Sequence, residues 1–349
     1  MEKILNRKIK VALVGCGRVS KNHFFSIKKY SDDIELIAIC DSDLSLVENL
    51  TKDLSVKGFT DLENMLETVD FDLLIITTPS GLHAEHAEIA ARYGKHVITE
   101  KPMATNYLDA KNMIKSFDRY KKHLFVVKQN RYNSTLQILR KAISEKRFGK
   151  IHLVQVNVFW TRPQNYYDQA SWRGTWEFDG GALMNQASHY VDLLHWLIGP
   201  LESIHAFSST SRAIEAEDTI VANLKWRNGA LGSFNASMLT YPKNLEGSIS
   251  IFGENGTIKI GGHAGNEIEI WDFDSKAEYD EEISEASYET SSVYGLGHPV
   301  FYENIVKFFR GVDSAQVISG RDGIKSLEII IAAYESVRDR CIKGFPLKF

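Results

Sequence analysis

The sequence predicts an α/β domain with a doubly wound parallel sheet, followed by an α+β domain with an open, mostly antiparallel sheet. Over residues 1–127, short apolar runs rich in β-branched residues alternate with helical segments, the pattern of parallel strands covered by helices on both faces. A glycine-rich loop joins the first run to the first helix. Over residues 128–349, longer strands and hairpin turns replace that alternation. We therefore predict two domains, 1–127 and 128–349.

The composition excludes several classes of protein. The 349 residues exceed what one core usually organises, and 44% hydrophobic with 25% charged residues argue against a disordered chain. A net charge of -4 indicates neither a basic surface for nucleic acid nor a polybasic patch for membranes. We find no signal peptide and no run long enough to cross a bilayer, so we expect a cytoplasmic protein. Cys16, Cys40 and Cys341 have no zinc spacing, which indicates reduced thiols and no metal site.

The predicted elements of the first domain alternate along the chain. Strands are expected at 9–14, 34–40, 73–77, 96–99 and 124–127, and helices at 19–30, 43–54, 83–93 and 108–117. Thr60 and Glu63 have capping-box spacing and predict one more short helix. This alternation implies right-handed crossovers and one parallel sheet.

The second domain begins with a predicted helix at 132–145 and a strand at 151–160. A loop dense in aromatic residues leads to Gly180-Gly181 and a predicted helix at 182–197. Several strands follow between residues 204 and 271, joined by hairpin turns such as Asn228-Gly229 and Asn255-Gly256. Helices at about 300–309 and 323–340 close the chain, and the acidic stretch 272–289 is interpreted as a solvated loop.

The glycine-rich loop predicts a cofactor site of the Rossmann type. Gly15 permits a tight turn, Gly17 lets backbone approach a pyrophosphate at a helix start, and Ser20 is small enough for close helix packing. Asp41 ends the second strand and is placed to accept hydrogen bonds from a ribose diol, which favours NAD over NADP. A glycine turn in an unrelated α/β protein, and Asp41 as a helix cap, are the alternatives. Further predicted cofactor contacts are Arg18, Val19, Thr78, Glu100 and Lys101.

The tripeptide Glu100-Lys101-Pro102 directly follows the predicted strand 96–99. Ligands of doubly wound sheets bind at the carboxyl ends of strands, so Lys101 is expected close to the nicotinamide. Partial burial and the positive charge of the oxidised ring both lower the pKa of a lysine. Lys101 is therefore a candidate proton partner for a hydroxyl, with a surface lysine of no function as the alternative.

The predicted helix 182–197 carries a polar stripe. Spacings of four and three residues place Asn185, His189 and Asp192 on one face of an α-helix. Buried polar groups need partners, so a polar stripe on an otherwise apolar helix indicates a site. Histidine titrates near neutral pH and suits proton transfer, which makes His189 the second catalytic candidate. A purely structural histidine is the alternative.

The chain carries three motifs: loop 15–20, Glu100-Lys101-Pro102, and Gly180-Gly181 followed by Asn185 and His189. Together they resemble the glucose-fructose oxidoreductase/inositol dehydrogenase (Gfo/Idh/MocA) family. The resemblance covers essentially the whole chain. It implies a Rossmann domain, an open sheet whose flat outer face commonly packs in oligomers, and catalysis by Lys101 and His189. Many members carry an aspartate where this chain has Asn185. Since an amide is no base, the departure implies that Asn185 positions substrate.

Segments 160–167, 172–176 and 180–186 narrow the resemblance. They are similar to a subgroup that oxidises the 3-hydroxyl of UDP-N-acetyl-2-amino-2-deoxyglucuronate, a step toward diamino-sugar uronates of bacterial surface polysaccharides. Arginines suit a carboxylate or diphosphate, and aromatic rings suit a sugar or uracil. About half of these aromatic residues are expected in the core or a subunit interface. The predicted substrate contacts are Arg162, Gln164 and Tyr166.

The predicted activity is NAD-dependent oxidation of the C3 hydroxyl of a UDP-linked N-acetylamino-sugar uronate. Two alternatives stay open: dehydrogenation of inositol or another free sugar or polyol, and a non-catalytic regulator that senses NAD. The bound NADH could exchange with solvent, or 2-oxoglutarate could act as a second oxidant that regenerates NAD in place. We expect a homo-oligomer, a dimer or a tetramer, with no nucleic-acid or membrane partner.

Overall fold

A computed structural model describes residues 3–290 and 295–348 of the chain. The chain divides into two compact units. The first comprises Met1–Lys128 with His298–Ile324, and the second comprises Gln129–Gly297 with Lys325–Phe349. Among the described residues, no helix combines the length and the apolar character needed to cross a membrane.

The first unit contains a six-stranded sheet in the order β3-β2-β1-β4-β5-β6, and all of its strand pairs are parallel. The strands are β1 (Ile9–Val14), β2 (Ile34–Cys40), β3 (Lys57–Phe59), β4 (Leu73–Ile76), β5 (His96–Thr99) and β6 (Leu124–Val126). The helices between them are α1 (Ser20–Lys29), α2 (Leu44–Leu54), α3 (Leu62–Thr68), α4 (His83–Arg92) and α5 (Tyr107–Tyr120). The predicted doubly wound sheet is confirmed.

The central strands of this sheet are apolar because both of their faces are covered. Every residue of β4 is buried, and so are five of the six residues of β1. The direction of the strand order reverses between β1 and β4, and ligands of such sheets bind outside the carboxyl ends of the strands at this point. The loops that follow β1, β4 and β5 are therefore the ones to examine for a site.

Two local predictions for the first unit need correction. Helix α3 is capped by Asp61, whose side chain accepts the N–H of Asn64 over 2.7 Å, and not by Thr60. Carboxylate and hydroxyl caps have similar sequence signatures, so the pattern located the helix but not its cap. The short strand β3 was not predicted, since three residues that include a glycine carry little strand signal.

The segment His298–Ile324 belongs to the first unit, whereas the predicted boundary at residue 127 places it in the second domain. It contains nearly all of helix α10 (Gly297–Arg310) and the first turn of α11 (Gly320–Asp339). Phe301 and Phe309 of α10 are fully buried, and the N–H of Ile4 donates to the carbonyl of Phe309 over 2.9 Å. The helical pattern does not reveal which sheet a helix covers.

The second unit contains an eight-stranded sheet in the order β13-β12-β11-β7-β10-β9-β8-β14. All neighbouring pairs are antiparallel except β7 and β10, which confirms the predicted mostly antiparallel sheet. The strands are β7 (Ile151–Phe159), β8 (Leu201–Ser209), β9 (Thr219–Trp226), β10 (Leu231–Ser237), β11 (Glu246–Gly253), β12 (Gly256–Gly261), β13 (Glu267–Phe273) and β14 (Lys343–Gly344). Asn228-Gly229 and Asn255 lie in two of its hairpin turns, as predicted.

The helices of the second unit are α6 (Ser134–Ser144), α7 (Gln164–Asp168), α8 (Ser188–Ile198), α9 (Ile283–Ala286) and the later turns of α11 (Gly320–Asp339). Apolar side chains of α8 and α11, among them Val191 and Ile329, line one small cavity together with Ile220 and Phe234 of the sheet. The inward face of the sheet is thereby covered. Its alternate residues form the opposite face.

The acidic stretch 272–289 is not the simple solvated loop that was predicted. It contains a 3-10 turn (Glu278–Glu282) and α9. Asp280 accepts two hydrogen bonds from Arg147, at 2.6 and 2.8 Å, and Tyr279 is buried beside them. The stretch is ordered because an arginine from a distant part of the chain neutralises part of its charge.

Candidate active site

The glycine loop between β1 and α1 has a backbone that fits a dinucleotide. Gly15 has a φ of +90°, and a Cβ atom there would lie 2.5 Å from the backbone nitrogen of Thr78, so only glycine fits. At Gly17, no atom of the described residues beyond its chain neighbours lies within 4 Å of the position that a Cβ would take. Val19, the N-cap residue of α1, supplies no side-chain acceptor, which leaves N–H groups of the first turn for an anion.

Asp41 lies at the end of β2, beside this loop. Its carboxylate accepts the N–H of Cys16 over 2.6 Å and the N–H of Asp43 over 3.0 Å. A carboxylate offers about four acceptor positions, so these bonds fix Asp41 and leave capacity for a ribose diol. Helix α2 is capped by Asp43, whose side chain accepts the N–H of Ser45. The alternative that Asp41 is the cap is therefore excluded.

Cys16 in the loop and Cys40 beside it are unreactive at neutral pH. Cys16, Cys40 and Cys341 are all free thiols, as predicted. Burial raises the pKa of both Cys16 and Cys40 to about 12. Because the thiolate is the reactive form, neither side chain is a nucleophile at neutral pH, and both serve to pack the loop.

A buried imidazole joins the loops that follow β4 and β5. His83 places Nε2 2.8 Å from the carbonyl oxygen of Thr78 and Nδ1 2.7 Å from that of Pro102. The hydroxyl of Thr77 donates to the carbonyl of Gly15. The three loops at this edge of the sheet are thus tied to one another.

Lys101 follows β5, and the carboxylate of Glu100 fixes its backbone. Glu100 is only 5% exposed, and its Oε2 accepts the N–H of Lys101 over 3.1 Å. Its Oε1 lies 3.0 Å from Nε2 of His23 and 3.4 Å from Nε2 of His298. Burial alone would raise the pKa of Glu100, but the imidazole hydrogen bonds outweigh it and hold the pKa well below its usual value. Glu100 therefore serves the site by anchoring Lys101.

His23 is the centre of this network. Burial lowers the pKa of His23, so the ring is neutral, and its Nδ1 lies 2.7 Å from the hydroxyl of Tyr302. The pattern assigns the ring proton to Nε2, which donates to Glu100, while Nδ1 accepts from Tyr302. One ligand-type atom each of His23, Glu100 and His298 lie within 4.8 Å of one another, a spacing also seen in metal sites. Here hydrogen bonds account for the spacing.

Replacing His23 by alanine is expected to cost about 1–3 kcal/mol of stability, because the buried Glu100 carboxylate loses a donor. For a domain of this size, each kcal/mol shifts the melting temperature by roughly 2–4 °C. Turnover should fall as well, since Glu100 no longer holds Lys101 in one place. Thermal unfolding of the variant beside His152→Ala, an exposed histidine, checks this. Equal melting temperatures for the two variants would contradict the network.

The predicted helix 182–197 is two segments in the structure. A π-helical turn spans Ala182–Gln186, and α8 begins after Ala187. A π turn takes in an extra residue relative to an α turn, so Asn185 and His189 lack the spacing on which the predicted single stripe rested. The predicted continuous helix is therefore wrong, while His189 and Asp192 lie together on α8.

Asn185 and Asp192 each have an acidic or basic partner. The side-chain amide of Asn185 donates to Asp179, and Asp179 also accepts the N–H of Gly174 over 2.7 Å. The buried carboxylate of Asp192 accepts two hydrogen bonds from Arg131, at 2.6 and 2.8 Å. Bidentate pairs of this kind fix both partners. Asp192 therefore anchors Arg131, while Asn185 is oriented from the loop that precedes the π turn.

His189 is buried on α8, with 4% of its surface exposed. Its Nε2 lies 3.2 Å from the side-chain nitrogen of Gln129. With the amide as donor, Nε2 is the acceptor and the ring proton sits on Nδ1. This contact fixes the ring and its tautomer, which a group that passes a proton requires.

The structure brings two of the three predicted substrate residues together. Arg162 donates through Nε to the side-chain oxygen of Gln186 over 2.9 Å, and Gln186 donates to the hydroxyl of Tyr166 over 3.1 Å. The guanidinium carbons of Arg162 and Arg173 lie 5.4 and 4.4 Å from the centre of the Tyr166 ring. The cluster combines positive charge with an aromatic ring beside the π turn.

Gln164 has a different place. Its side-chain oxygen accepts the N–H of Ala213 over 2.9 Å, and its nitrogen donates to Asp168 over 3.0 Å. The residue thus clamps α7 to the loop at residue 213. Gln186, which the sequence analysis did not select, joins Arg162 to Tyr166 instead.

Two models of one protein family together match most of the chain. The family model described as the NAD-binding Rossmann fold of the Gfo/Idh/MocA oxidoreductase family matches residues 9–128. The model for the C-terminal alpha/beta domain of that family matches residues 140–343. Among curated proteins, myo-inositol 2-dehydrogenase of Thermotoga maritima is 24% identical, with 95% of this chain and 97% of that protein covered.

Two solved structures are more similar. The WlbA dehydrogenase from Chromobacterium violaceum, in complex with NADH and UDP-GlcNAcA, is 53% identical with a TM-score of 0.96, and covers 100% of this chain and 99% of its own. The WlbA dehydrogenase from Bordetella pertussis, crystallised with the same two ligands, is 52% identical with a TM-score of 0.96, at 99% and 100% coverage. The chain therefore belongs to the Gfo/Idh/MocA family of oxidoreductases, with an N-terminal domain that binds NAD.

Proposed function

We propose that this oxidoreductase transfers a hydride from C3 of UDP-N-acetylglucosaminuronate (UDP-GlcNAcA) to NAD. The observation that carries the proposal is full-length similarity, at 53% identity, to a dehydrogenase bound to NADH and UDP-GlcNAcA. The proposed setting is the cytoplasm of a bacterium, in the synthesis of surface polysaccharides. The sugar uronates of such polymers would be the downstream products.

The proposed roles follow from the contacts of each residue. Gly15 and Gly17 seat the diphosphate of NAD, and Asp41 takes the ribose diol, since its carboxylate would repel a 2′-phosphate. Bound NAD supplies the hydride acceptor. Arg18, Val19 and Thr78 are proposed as further contacts from the loops at the same edge of the sheet.

Lys101 and His189 are the proposed groups for the proton. Oxidation of an alcohol to a ketone removes the hydroxyl proton together with the hydride, so a base is needed. Lys101 is proposed to accept it directly or through a short relay that includes His189. Glu100 holds the backbone of Lys101, and Gln129 contacts the ring of His189. Proton transfer needs groups that are held in place.

The charged parts of the substrate are proposed to be recognised by the cluster of Arg162, Gln186, Tyr166 and Arg173. UDP-GlcNAcA carries a diphosphate and a carboxylate, and guanidinium groups bind both in forked geometry. Asn185, an amide held by Asp179, is proposed to orient the sugar. Gln164 is proposed to act on this cluster through the loop that it clamps.

A substrate panel tests the proposal. Initial rates of NADH formation would be compared for UDP-GlcNAcA, for UDP-GlcNAc, which lacks the carboxylate, and for myo-inositol. Each is run with and without 2-oxoglutarate, because a retained NADH would otherwise hide turnover; 2-hydroxyglutarate then reports the second half-reaction. Activity with UDP-GlcNAcA alone is expected. Activity with myo-inositol alone would replace the proposal by the free-polyol alternative, and NAD binding without any turnover would favour the regulator.

We also propose that the outer face of the large sheet is an interface between copies of the chain. Alternate residues of the strands point to this face, and six large apolar ones are 36–60% exposed: Leu153, Phe207, Val221, Leu231, Phe252 and Ile270. They are neighbours across the strands, for example Leu231 opposite Leu153 and Phe207 opposite Val221. Apolar patches of this kind mark contact surfaces.

Replacing Leu231 by glutamate is expected to lower the molecular mass measured by light scattering, from a dimer or tetramer toward the monomer. A charge in a buried apolar contact is costly, whereas the same side chain on an isolated sheet face would be solvated. Leu108→Glu, at a leucine on α5 that is 64% exposed against 54% for Leu231, is the matched control. An unchanged mass for Leu231→Glu would rule out this face as the interface.

A further inference from the structure

The π turn Ala182–Gln186 is closed at its start by two residues from distant parts of the chain. The N–H of Ala182 donates to the carbonyl of Glu217 over 2.8 Å, and the N–H of Leu183 donates to its side-chain Oε1 over 2.8 Å. The N–H of Met184 donates to the hydroxyl of Tyr334 over 3.1 Å. These are the N–H groups that a helical start leaves without partners within the helix.

Glu217 and Tyr334 act on the turn as a pair. The hydroxyl of Tyr334 donates to Oε1 of Glu217 over 3.1 Å. Since the same hydroxyl accepts the N–H of Met184, Met184 is linked to Oε1 through Tyr334. Glu217 is 2% exposed, and its second oxygen, Oε2, is buried with no hydrogen-bond partner among the residues that the structure describes. A buried carboxyl group with this environment is costly in free energy.

The glycine before the turn is shaped to the same carboxyl group. A Cβ atom on Gly181 would lie 1.3 Å from Oε2 of Glu217, so a side chain at this position would displace the carboxyl group. The carboxyl group thus occupies the space that a side chain at position 181 would fill. This gives a physical reason for the second glycine of Gly180-Gly181.

The turn carries a proposed substrate residue at a fixed angle. The N–H of Asn185 donates to the carbonyl of Gly181 over 3.0 Å, and Gln186 ends the turn next to Arg162. π turns are rare and occur mostly at functional sites. If the turn relaxed to α-helical geometry, Asn185 would rotate by roughly 100° about the helix axis relative to His189.

We propose that Glu217 and Tyr334 are positioning residues of the dehydrogenase, which hold the π turn and so set Asn185 and Gln186 relative to His189. The inference rests on the proposed function for its activity readout. It assigns no contact with substrate to either residue. Glu217 acts as an acceptor through Oε1, and its negative charge is not needed.

The raised pKa of Glu217 supports a role that does not need its negative charge. Burial raises the pKa of Glu217 to about 8, against the opposing hydrogen bonds from Leu183 and Tyr334, and neighbouring Asp218 adds to the rise. The protonated acid keeps Oε1 as an acceptor for both donors. A raised native pKa contributes stability that is full below the unfolded value of about 4.3 and is lost as the pH rises through the native one.

The test compares Glu217→Ala, Glu217→Gln and Tyr334→Phe in the NAD-loaded full chain. Glutamine keeps the acceptor and removes the titration. Glu217→Ala is expected to lower kcat on the order of 100-fold, the size of a displacement of about 1 Å in a site, with little change in the dissociation constant of NAD. Glu217→Gln should restore kcat to within about threefold, a difference below 1 kcal/mol, and abolish the loss of melting temperature between pH 5 and 8 that the parent shows.

Ser336→Ala is the matched control. It removes a buried hydroxyl of α11, near Tyr334, that accepts the N–H of Ala206 and donates to Cys341. It should lower the melting temperature and leave kcat unchanged, which separates positioning from stability. Tyr334→Phe, the milder change, should lower kcat even if Glu217→Ala does not fold. Unchanged kcat in Tyr334→Phe, or no rescue by Glu217→Gln, would overturn the inference.

Hydrogen exchange separates this inference from the proposed function. Amides 182–186 of the NAD-loaded protein should exchange faster in Tyr334→Phe than in Ser336→Ala, with other segments of the second unit unchanged. This readout needs no substrate. Absence of turnover in the parent with UDP-GlcNAcA would discard the proposed substrate alone, and equal exchange at 182–186 would discard the positioning role alone.

Discussion

Replacing Lys101 by alanine is expected to lower the turnover of UDP-GlcNAcA by about 10²- to 10⁴-fold, the range for loss of a general base. The variant should bind NAD almost as well as the parent, because the cofactor loop and Asp41 are untouched. Glu100 should also keep its contacts, since it binds the backbone N–H of residue 101 rather than the amine. Steady-state kinetics and NAD titration measure the two effects separately.

The control for this prediction is Lys115→Ala, an exposed lysine on α5 of the same unit. It removes the same charge from the domain without touching the loops at the strand ends. A Lys101→Ala variant that turns over at the rate of the control would show that the residue carries no proton. A variant that loses NAD affinity as well would instead assign Lys101 to cofactor binding.

Replacing Gly15 by alanine is expected to raise the dissociation constant of NAD on the order of 100-fold and to lower the melting temperature of the free protein. A φ of +90° strains any other residue, at a cost of about 1–3 kcal/mol. The new methyl group would also meet the backbone of Thr77 and Thr78 at 2.5–2.8 Å. The loop has to move, and the cofactor site moves with it.

Gly17→Ala is the matched substitution, because its methyl group meets nothing within 4 Å in the described part of the free protein. We expect its melting temperature to stay close to that of the parent while its affinity for NAD falls, since the methyl occupies the space meant for the diphosphate. Isothermal titration and thermal unfolding of both variants check this. Unchanged NAD affinity in Gly17→Ala would contradict the proposed path of the cofactor.

The elements around the glycine loop could be predicted from the sequence because their signals are local. The strand β1, the glycine loop and α1 are consecutive, and Asp41 ends the next strand. A single turn therefore fixes most of the geometry. The boundaries of these elements lie within three residues of the predicted ones.

The hydrogen-bond network of Glu100, which holds the backbone of Lys101, could not be predicted, because its residues are far apart in the chain. Glu100 and His298 are separated by 198 residues, and α10 carries no mark of the sheet on which it packs. A histidine on α1 looks like any other helical histidine. Only the fold shows that His23 and His298 meet at one carboxylate.

The π turn is the clearest limit of pattern reasoning in this chain. Spacing arguments assume a continuous α-helix, and residues 182–197 satisfy that pattern well. The turn is set instead by Glu217, 34 residues beyond Leu183, and by Tyr334. Likewise, Arg162 and Tyr166 meet as predicted for a common site, but through Gln186, whose role depends on where the turn ends.

The central claim is hydride transfer from C3 to NAD, and a single turnover with UDP-GlcNAcA carrying deuterium at C3 tests it most directly. Enzyme in excess, loaded with NAD, is mixed with the labelled sugar, quenched and analysed by mass spectrometry, so a retained product is still counted. The account predicts NADH heavier by one mass unit, with the deuterium on the nicotinamide ring, and an unlabelled 3-keto sugar. Unlabelled NADH would place the oxidised carbon elsewhere, and recovery of the intact labelled sugar from protein with bound NAD would contradict the claim.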